Sequence, residues 1–131
     1  MMLATIHSDA APAAVGPYSQ AVRHQGVLYL SGQIGLLPAE GRLIDDTLAG
    51  QAGQVMRNLA AVLAAGGCAL TDIIKVNIYL TDMADFPELN KLYAGWLGEH
   101  RPARATVAVA ALPLGARVEM DVIARCSGGA G

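Results

Sequence analysis

Residues 45–80 read DDTLAGQAGQVMRNLAAVLAAGGCALTDIIKVNIYL, and this stretch places one helical pattern directly before one strand pattern. Apolar residues recur at helical spacing from Leu48 to Leu63. Residues 45–47 offer side-chain caps at the start, and Gly66-Gly67 provides a stop. Residues 73–80 then alternate between apolar and more polar side chains, as in a strand with one buried face. The stretch therefore predicts a helix that packs on a sheet.

Strand patterns precede this stretch. They occur at residues 3–7, 18–23 and 27–33, and His24-Gln25-Gly26 reads as the turn between the last two. We therefore predict that the chain begins with three short strands.

A second helix and two more strands follow it. The helix is predicted to begin near Asp82 or Asp85, with Pro87 in its first turn, and to end at Arg101-Pro102. Its apolar stripe consists of Phe86, Leu89, Tyr93 and Trp96, and Asn90 falls within that stripe. The remaining residues predict a closing hairpin of 104–112 and 117–126, turning at 113–116.

The predicted order is thus β-β-β-α-β-α-β-β within a single domain, 1–131, whose residues 127–131 form a flexible tail. Strands and helices are mixed, which favours an α+β fold with one sheet and both helices on one face. The other face of such a sheet needs cover, and sister subunits would suit its alanine-valine alternation.

Composition limits the function classes. Only 15% of the 131 residues are charged, against roughly 25% in an average soluble protein. Buried subunit contacts would explain this deficit, and so would an alanine-rich core. The net charge of −2 and the lack of a basic run do not support electrostatic binding of nucleic acid.

No targeting, membrane or metal signal is present. The uncharged run that follows Arg104 is too short to span a bilayer, and the N-terminus lacks the pattern of a signal peptide, so we expect a cytoplasmic protein that does not bind membranes. Cys68 and Cys126 are then expected to be buried free thiols. The three histidines lack metal-ligand spacing, so no metal site is predicted.

Arg104 is the one charge between Pro102 and Pro113, in a run of small apolar residues. A guanidinium buried there without a partner would be costly, so a carboxylate or an anionic ligand should meet it. Its planar fork suits bidentate contact with a carboxylate better than lysine would. The alternative is an arginine that extends into water at the end of a strand.

Other polar residues fall at positions that a core pattern does not require. Tyr18 follows Gly16-Pro17, and Ser31 precedes Gly32 at the end of an apolar strand, where a glycine allows close approach of a ligand. With a hairpin centred on Gln25, Tyr18 and Ser31 would be neighbours; ordinary surface positions are the alternative.

Two further candidates have structural alternatives. Asn90 could contact a ligand, although a buried Asn that caps a loop is more common. Glu119 shares a strand face with Asp121 and Arg125, which could equally form a salt-bridged surface.

The predicted closing hairpin separates Arg104 from Glu119. It pairs Arg104 with Arg125 and Glu119 with Ala110, so the two charges are roughly 20 Å apart along the strands. If both serve one site, that site must lie between subunits.

Five segments together resemble the Rid (YjgF/RidA) family over nearly the whole length, in order and without large gaps. The segments are Gly16-Pro17-Tyr18-Ser19-Gln20-Ala21-Val22, Tyr29-Leu30-Ser31-Gly32-Gln33-Ile34, Asn90 with Tyr93, Pro102-Ala103-Arg104-Ala105-Thr106-Val107, and Ala111-Leu112-Pro113 with Val118-Glu119-Met120.

The resemblance implies a chorismate-mutase-like α+β fold, assembled as a homotrimer with a barrel-like core and sites between subunits. It also implies cofactor-free hydrolysis of reactive 2-imino and 2-enamino acids to 2-oxo acids and ammonia. The alternative is a non-catalytic trimer that binds 2-oxo acids or other small metabolites and has a regulatory role.

The resemblance also assigns roles to residues. Arg104 would clamp the substrate carboxylate and Glu119 would position or activate water. Tyr18, Ser31 and Asn90 would line the pocket, with the backbone of Gly32 and of Thr106 at its edge. Many members carry Cys at the position of Thr106; this change removes a thiol but keeps the backbone contact.

Overall fold

The computed structural model describes residues 3–126, so the predicted tail at 127–131 lies outside the described residues. Six strands and two α-helices follow the predicted order. The strands are β1 (Ala4–Ile6), β2 (Ala21–His24), β3 (Val27–Gln33), β4 (Ile73–Leu80), β5 (Ala103–Ala108) and β6 (Val118–Arg125). The helices are α1 (Leu48–Ala65) and α2 (Phe86–Leu97). Short 3-10 turns occur at Leu70–Asp72, Met83–Asp85 and Pro113–Gly115.

The helix ends follow the predicted signals, with one exception. Thr47 caps α1 by accepting a hydrogen bond of 3.0 Å from the backbone N–H of Gly50, and Gly66 ends the helix. Helix α2 ends at Leu97 rather than at Arg101-Pro102, because Gly98 adopts a left-handed φ of 63°. The early stop leaves residues 98–102 to lead the chain into β5.

One mixed sheet with the order β1-β2-β3-β6-β4-β5 forms the fold, with both helices on one face, and the predicted α+β class is confirmed. The buried face of β6 consists of Val118, Met120, Val122 and Ala124. It packs beneath α1, whose buried residues include Val55, Leu59 and Val62. The opposite sheet face carries exposed Tyr29 and Val107, so residues 3–126 do not cover it.

The predicted closing hairpin is wrong. Strand β6 lies between β3 and β4 and is antiparallel to both, whereas β5 pairs only with β4, in parallel. Strand β4, helix α2 and strand β5 form a β-α-β unit, and a helical crossover is the usual way to join two parallel neighbours. Strand β5 therefore lies at an edge of the sheet.

The first hairpin is one residue tighter than predicted. Gln25 and Gly26 both have positive φ, 52° and 78°, so they form a two-residue turn of the type that suits hairpins. His24 then pairs with Val27, and the paired residue numbers sum to 51 instead of 50. Ser31 is therefore opposite Gln20, with a backbone hydrogen bond of 2.9 Å to its carbonyl.

The expectation of free thiols is also wrong. Cys68 follows α1 and Cys126 follows β6, and the pairing of Ile73 with Ala124 brings these two chain segments together. The two cysteines form a buried disulfide, with Cα atoms 4.9 Å apart. It joins the loop after α1 to the residue that directly follows β6.

Candidate functional site

Arg104 lies on β5 and extends over α2. Its Nη1 donates a hydrogen bond of 2.8 Å to Oδ1 of Asn90. Its guanidinium carbon lies 4.9 Å from the ring centre of Tyr93 and 5.5 Å from that of Phe86. The guanidinium is thus oriented by one amide and two aromatic rings, and no acidic side chain of residues 3–126 forms an ion pair with it.

This arginine opens onto a cavity of about 380 Å³, to which residues 3–126 contribute two positive charges and no negative one. The lining residues are Asn90, Tyr93, Ala94, Arg101, Pro102 and Arg104. The backbone carbonyls of Gly98 and His100 hold Arg101 through its Nη1. Burial raises the pKa of the Tyr93 hydroxyl, while the nearby Arg104 and Arg101 charges oppose that shift. We call this space the arginine cavity; its chemistry suits a small anion.

The arrangement corrects one prediction and adds three residues. Asn90 does not lie within the apolar stripe; it is exposed beside β5 and orients Arg104. Phe86 was predicted only as part of the apolar stripe and Arg101 only as a helix end, while Tyr93 was assigned to that stripe and to a resemblance segment but given no role in the site. The spacing of seven between the two aromatic residues was a usable signal, because it places both rings on the same face of α2.

Thr106 lies two residues after Arg104 on the same face of β5. Its pairing partner Ile78 is buried beneath the helices, as is Val76, the partner of Arg104. The hydroxyl oxygen of Thr106 is buried and makes no hydrogen bond within the described chain. Its backbone belongs to an edge strand, whose outer side has no partner strand in the described sheet.

Glu119 lies in a second cavity, of about 330 Å³, on the uncovered face of the sheet. Tyr18, Gly32, Gln33 and Leu114 are among the residues that share this lining, and Glu119 is the one charged residue that the described chain contributes to it. A Cβ atom added to Gly32 would lie 2.3 Å from Oε2 of Glu119, so the carboxylate packs directly on the glycine backbone. We call this space the glutamate cavity.

The Glu119 carboxylate makes no hydrogen bond or ion pair with any residue in the range 3–126. Burial first, and the nearby Asp121 carboxylate second, raise the pKa of Glu119. A carboxyl group of this kind holds its proton more readily than an exposed one, which suits it to proton transfer.

Tyr18 and Ser31 are held differently. Tyr18 is 53% exposed at the glutamate cavity, while the hydroxyl of Ser31 donates a hydrogen bond of 2.6 Å to the carbonyl of Ser19. Ser31 is not among the lining residues of that cavity, whereas its neighbour Gly32 is. The structural alternative for Glu119, a salt-bridged face shared with Asp121 and Arg125, is absent from the described chain, since Asp121 instead accepts hydrogen bonds from Asn77 and Tyr79.

The two cavities are not continuous within one chain. Arg104 pairs with Val76 on the helix-covered face, whereas Glu119 pairs with Tyr79 on the uncovered face. Three residues and two strand spacings separate their Cα atoms, about 14 Å. Arg104 and Glu119 are thus apart within one chain, but by about 14 Å instead of the predicted distance of roughly 20 Å, and the cause is opposite sheet faces rather than a hairpin register.

No group of three or more His, Cys, Asp or Glu side chains that could hold a metal ion occurs within the described part of the chain. In the same range, no helix has the length and apolarity needed to cross a membrane.

Comparison with known proteins gives consistent matches. A family model described as endoribonuclease L-PSP matches residues 8–126. The chain is 48% identical to a protein named DfrA from Myxococcus xanthus, covering 91% of this chain and 92% of that protein. It is 44% identical to the 2-iminobutanoate/2-iminopropanoate deaminase of Mus musculus, covering 91% of this chain and 88% of the mouse protein.

A solved structure shares both the fold and much of the sequence. The RidA protein from an Antarctic Psychrobacter superposes with a TM-score of 0.90 at 46% identity, covering 93% of this chain and 98% of the other. Fold, length and sequence thus agree with the five motifs noted above, and the chain belongs to the Rid (YjgF) family.

Proposed function

We propose that the protein hydrolyses reactive 2-imino acids, and their enamine tautomers, to 2-oxo acids and ammonia. The observation that carries this proposal is the Arg104 guanidinium, which Asn90 and two aromatic rings orient toward a cavity without any acidic partner in the described chain. Such a group suits a substrate with a carboxylate. The deaminase named among the relatives acts, by its name, on two acids of this class.

The chemistry needs little beyond binding and proton transfer. An imine carbon is electrophilic, so water adds to it and gives a carbinolamine. Glu119 would accept a proton from the attacking water and return it to the nitrogen. The carbinolamine hydroxyl next gives up its own proton, which Glu119 would pass to the amine nitrogen; the carbon-nitrogen bond then breaks, ammonia leaves and the carbonyl forms. The pKa of Glu119, raised by burial and by Asp121, favours this exchange.

Opposite sheet faces for Arg104 and Glu119 support a site shared between subunits. We propose a homotrimer in which the arginine cavity of one subunit meets the glutamate cavity of the next. The exposed Tyr29 and Val107 of the uncovered face would then be buried. Tyr18, Gly32 and Ser31 would border the substrate from one subunit, and Asn90 and Thr106 from the other. A cytoplasmic location stays a prediction.

A regulatory trimer that only binds 2-oxo acids is the alternative. Such a protein would need the arginine cavity but not Glu119. The close packing of Glu119 on Gly32 favours the enzyme, because a glycine there makes room for a carboxylate that has no structural partner in the described chain. Cleavage of RNA, which the description of the family model suggests, finds no support in a net charge of −2.

The test is ammonia release from iminopropionate generated in situ by an amino-acid oxidase. We expect Arg104→Ala and Glu119→Gln each to lose activity while remaining folded and assembled. Random mixing of the two variants rebuilds a site wherever an intact Arg104 meets an intact Glu119, and closed three-fold symmetry makes this about a quarter of all sites.

Recovery of about a quarter of the wild-type activity would thus support the shared site. Mixed assemblies without recovery would overturn it. Wild-type protein that binds 2-oxo acids but releases no ammonia would instead favour the regulatory alternative.

A further inference from the structure

Asp121 is the second carboxylate on the uncovered face of β6. It lies two residues after Glu119, so both side chains project from the same side of the strand, with Cα atoms about 7 Å apart. Its Oδ1 accepts a hydrogen bond of 2.9 Å from the Asn77 side chain, and its Oδ2 accepts one of 2.9 Å from the Tyr79 hydroxyl. Both oxygens are occupied, so this carboxylate is held in place.

The hydroxyl of Tyr79 donates its hydrogen bond to Asp121 and not to Glu119. In the sheet register Tyr79 is directly opposite Glu119, yet its hydroxyl reaches diagonally to Asp121. The hydrogen bond to Asp121 is the main cause of the raised pKa of Tyr79, which keeps the donor protonated. One carboxylate is thereby fully bonded, and Glu119 is left without a partner within residues 3–126.

The other elements around Glu119 contribute no compensating charge. Strand β3 contributes Gly32, and the segment before β2 contributes the neutral Tyr18. Lys75 of β4 is opposite Ile123, further along β6 than Asp121. Arg117 turns away, with Nε bonded to the carbonyl of Asp46 and Nη1 3.8 Å from Asp85.

We propose that Asp121 is a positioning residue for the deamination: held by Asn77 and Tyr79, it fixes a negative charge beside Glu119 and raises the proton affinity of that group. The inference rests on the proposed function. The direction of the Glu119 pKa shift agrees with it, since Asp121 is its second cause after burial. Asp121 itself touches no reacting atom; it acts through Glu119.

The experiment is the pH profile of kcat/KM for iminopropionate hydrolysis. Glu119 must be ionised to accept a proton from water, so the acid limb of the profile reports its ionisation. Asp121→Asn removes the neighbouring negative charge, and we expect the acid limb to move to lower pH. Asp121→Glu restores the charge and should return the limb toward its wild-type position.

The controls separate this role from a structural one. Glu40→Gln removes a surface carboxylate that pairs with Arg42 in a loop, and it should leave the profile unchanged. A purely structural Asp121 would lower the plateau in D121N without moving the acid limb, and that result would overturn the inference. If D121N does not fold, Asp121→Thr makes the same test, because threonine suits a strand and keeps an acceptor oxygen.

The assay also separates failure of this inference from failure of the proposed function. An Arg104 contributed by a neighbouring subunit would shift the acid limb equally in the wild type and in the Asp121 variants. It therefore does not affect the comparison between them. Absence of hydrolysis by the wild type overturns the proposed function itself. Hydrolysis with the same acid limb in wild type and D121N overturns the role of Asp121 alone.

Discussion

The arginine cavity and the glutamate cavity hold their charged side chains by different means. Arg104 is fixed by one hydrogen bond and two aromatic rings, all supplied by α2. Glu119 is fixed by packing on Gly32 and makes no hydrogen bond in the described chain. A residue that must bind a carboxylate gains from a rigid orientation, because less entropy is lost when the ligand arrives.

A residue that must exchange protons has the opposite requirement. Hydrogen bonds to its charged form would stabilise the carboxylate and lower its basicity. Glu119 instead lies where burial penalises the charged form. The neighbouring strand β4 donates the hydrogen bond of its Tyr79 hydroxyl to Asp121 rather than to Glu119. Under the proposed function, one sheet would thus present a rigid binding group on one face and a proton-exchanging group on the other.

The largest expected effect comes from disturbing the glutamate cavity with one methyl group. In Gly32→Ala the new Cβ would lie 2.3 Å from Oε2 of Glu119, so the carboxylate must move. We expect kcat to fall by about 10²- to 10⁴-fold, the usual contribution of a general base, with the fold retained.

Gly95→Ala is the matched control for this change. Gly95 lies inside α2, and an added Cβ there meets no atom within 4 Å. It should keep full activity and stabilise the helix by up to about 1 kcal/mol. Equal activity in G32A and G95A would show that the contact between Glu119 and Gly32 has no catalytic role.

The next effect tests the arginine cavity. Arg104→Lys keeps the positive charge but loses the planar fork. We expect KM to rise by about 10- to 100-fold, because one charge-assisted hydrogen bond to the substrate carboxylate is lost. Steady-state kinetics of the wild type and the variant measure KM and kcat separately. A change confined to kcat would place Arg104 in the chemical step instead.

A smaller effect is expected from the residue that orients the arginine. Asn90→Ala removes the 2.8 Å hydrogen bond to Nη1 of Arg104 but leaves both aromatic rings. One such bond contributes about 1 kcal/mol, so KM should rise about fivefold. In an R104K background the change should have almost no effect; additive losses would mean that Asn90 contacts the substrate independently.

The smallest effect is on stability and its pH dependence. Because the pKa of Glu119 is raised in the folded state, its contribution to stability is fully present below the unfolded pKa and is lost as pH rises through the folded pKa. A glutamine cannot lose a proton, so this loss of stability does not occur in Glu119→Gln. We therefore expect the melting temperature of the variant, relative to that of the wild type, to be higher at pH 8 than at pH 4. Calorimetry of both proteins at the two pH values checks this, and a gap that narrows toward pH 8 would contradict it.

Local signals predicted the individual elements well. Val27–Gln33 and Ile73–Leu80 form strands with the predicted ends, and Thr47 caps α1, because alternation and capping depend on neighbouring residues. The strand pairing at the C-terminal end was not predicted. Pro113 and Gly115 form a turn, but a turn does not require the flanking strands to pair.

Better evidence was present in the patterns themselves. Val118, Met120, Val122 and Ala124 give β6 a continuous apolar face, as expected of a strand inside the sheet, while β5 carries mainly small residues besides Arg104, which suits an edge. A strand, a helix and a second strand in succession at 73–108 also favour parallel pairing. The residue pattern alone singled out the main candidates, Arg104 and Glu119 among them; their roles came from the family resemblance, and their distribution over two sheet faces needed the structure.

The disulfide between Cys68 and Cys126 has a consequence for the chain when a protease cuts it. The two cysteines are 58 positions apart, and they enclose β4, α2, β5 and β6 in one covalent ring. Arg104 and Glu119 both lie inside this ring. A single cut in the exposed loop that joins β5 to β6 would separate the two residues along the backbone, yet both fragments would stay attached until a reductant opens the ring. A nicked molecule could thus retain both charged residues and run as one species on a non-reducing gel.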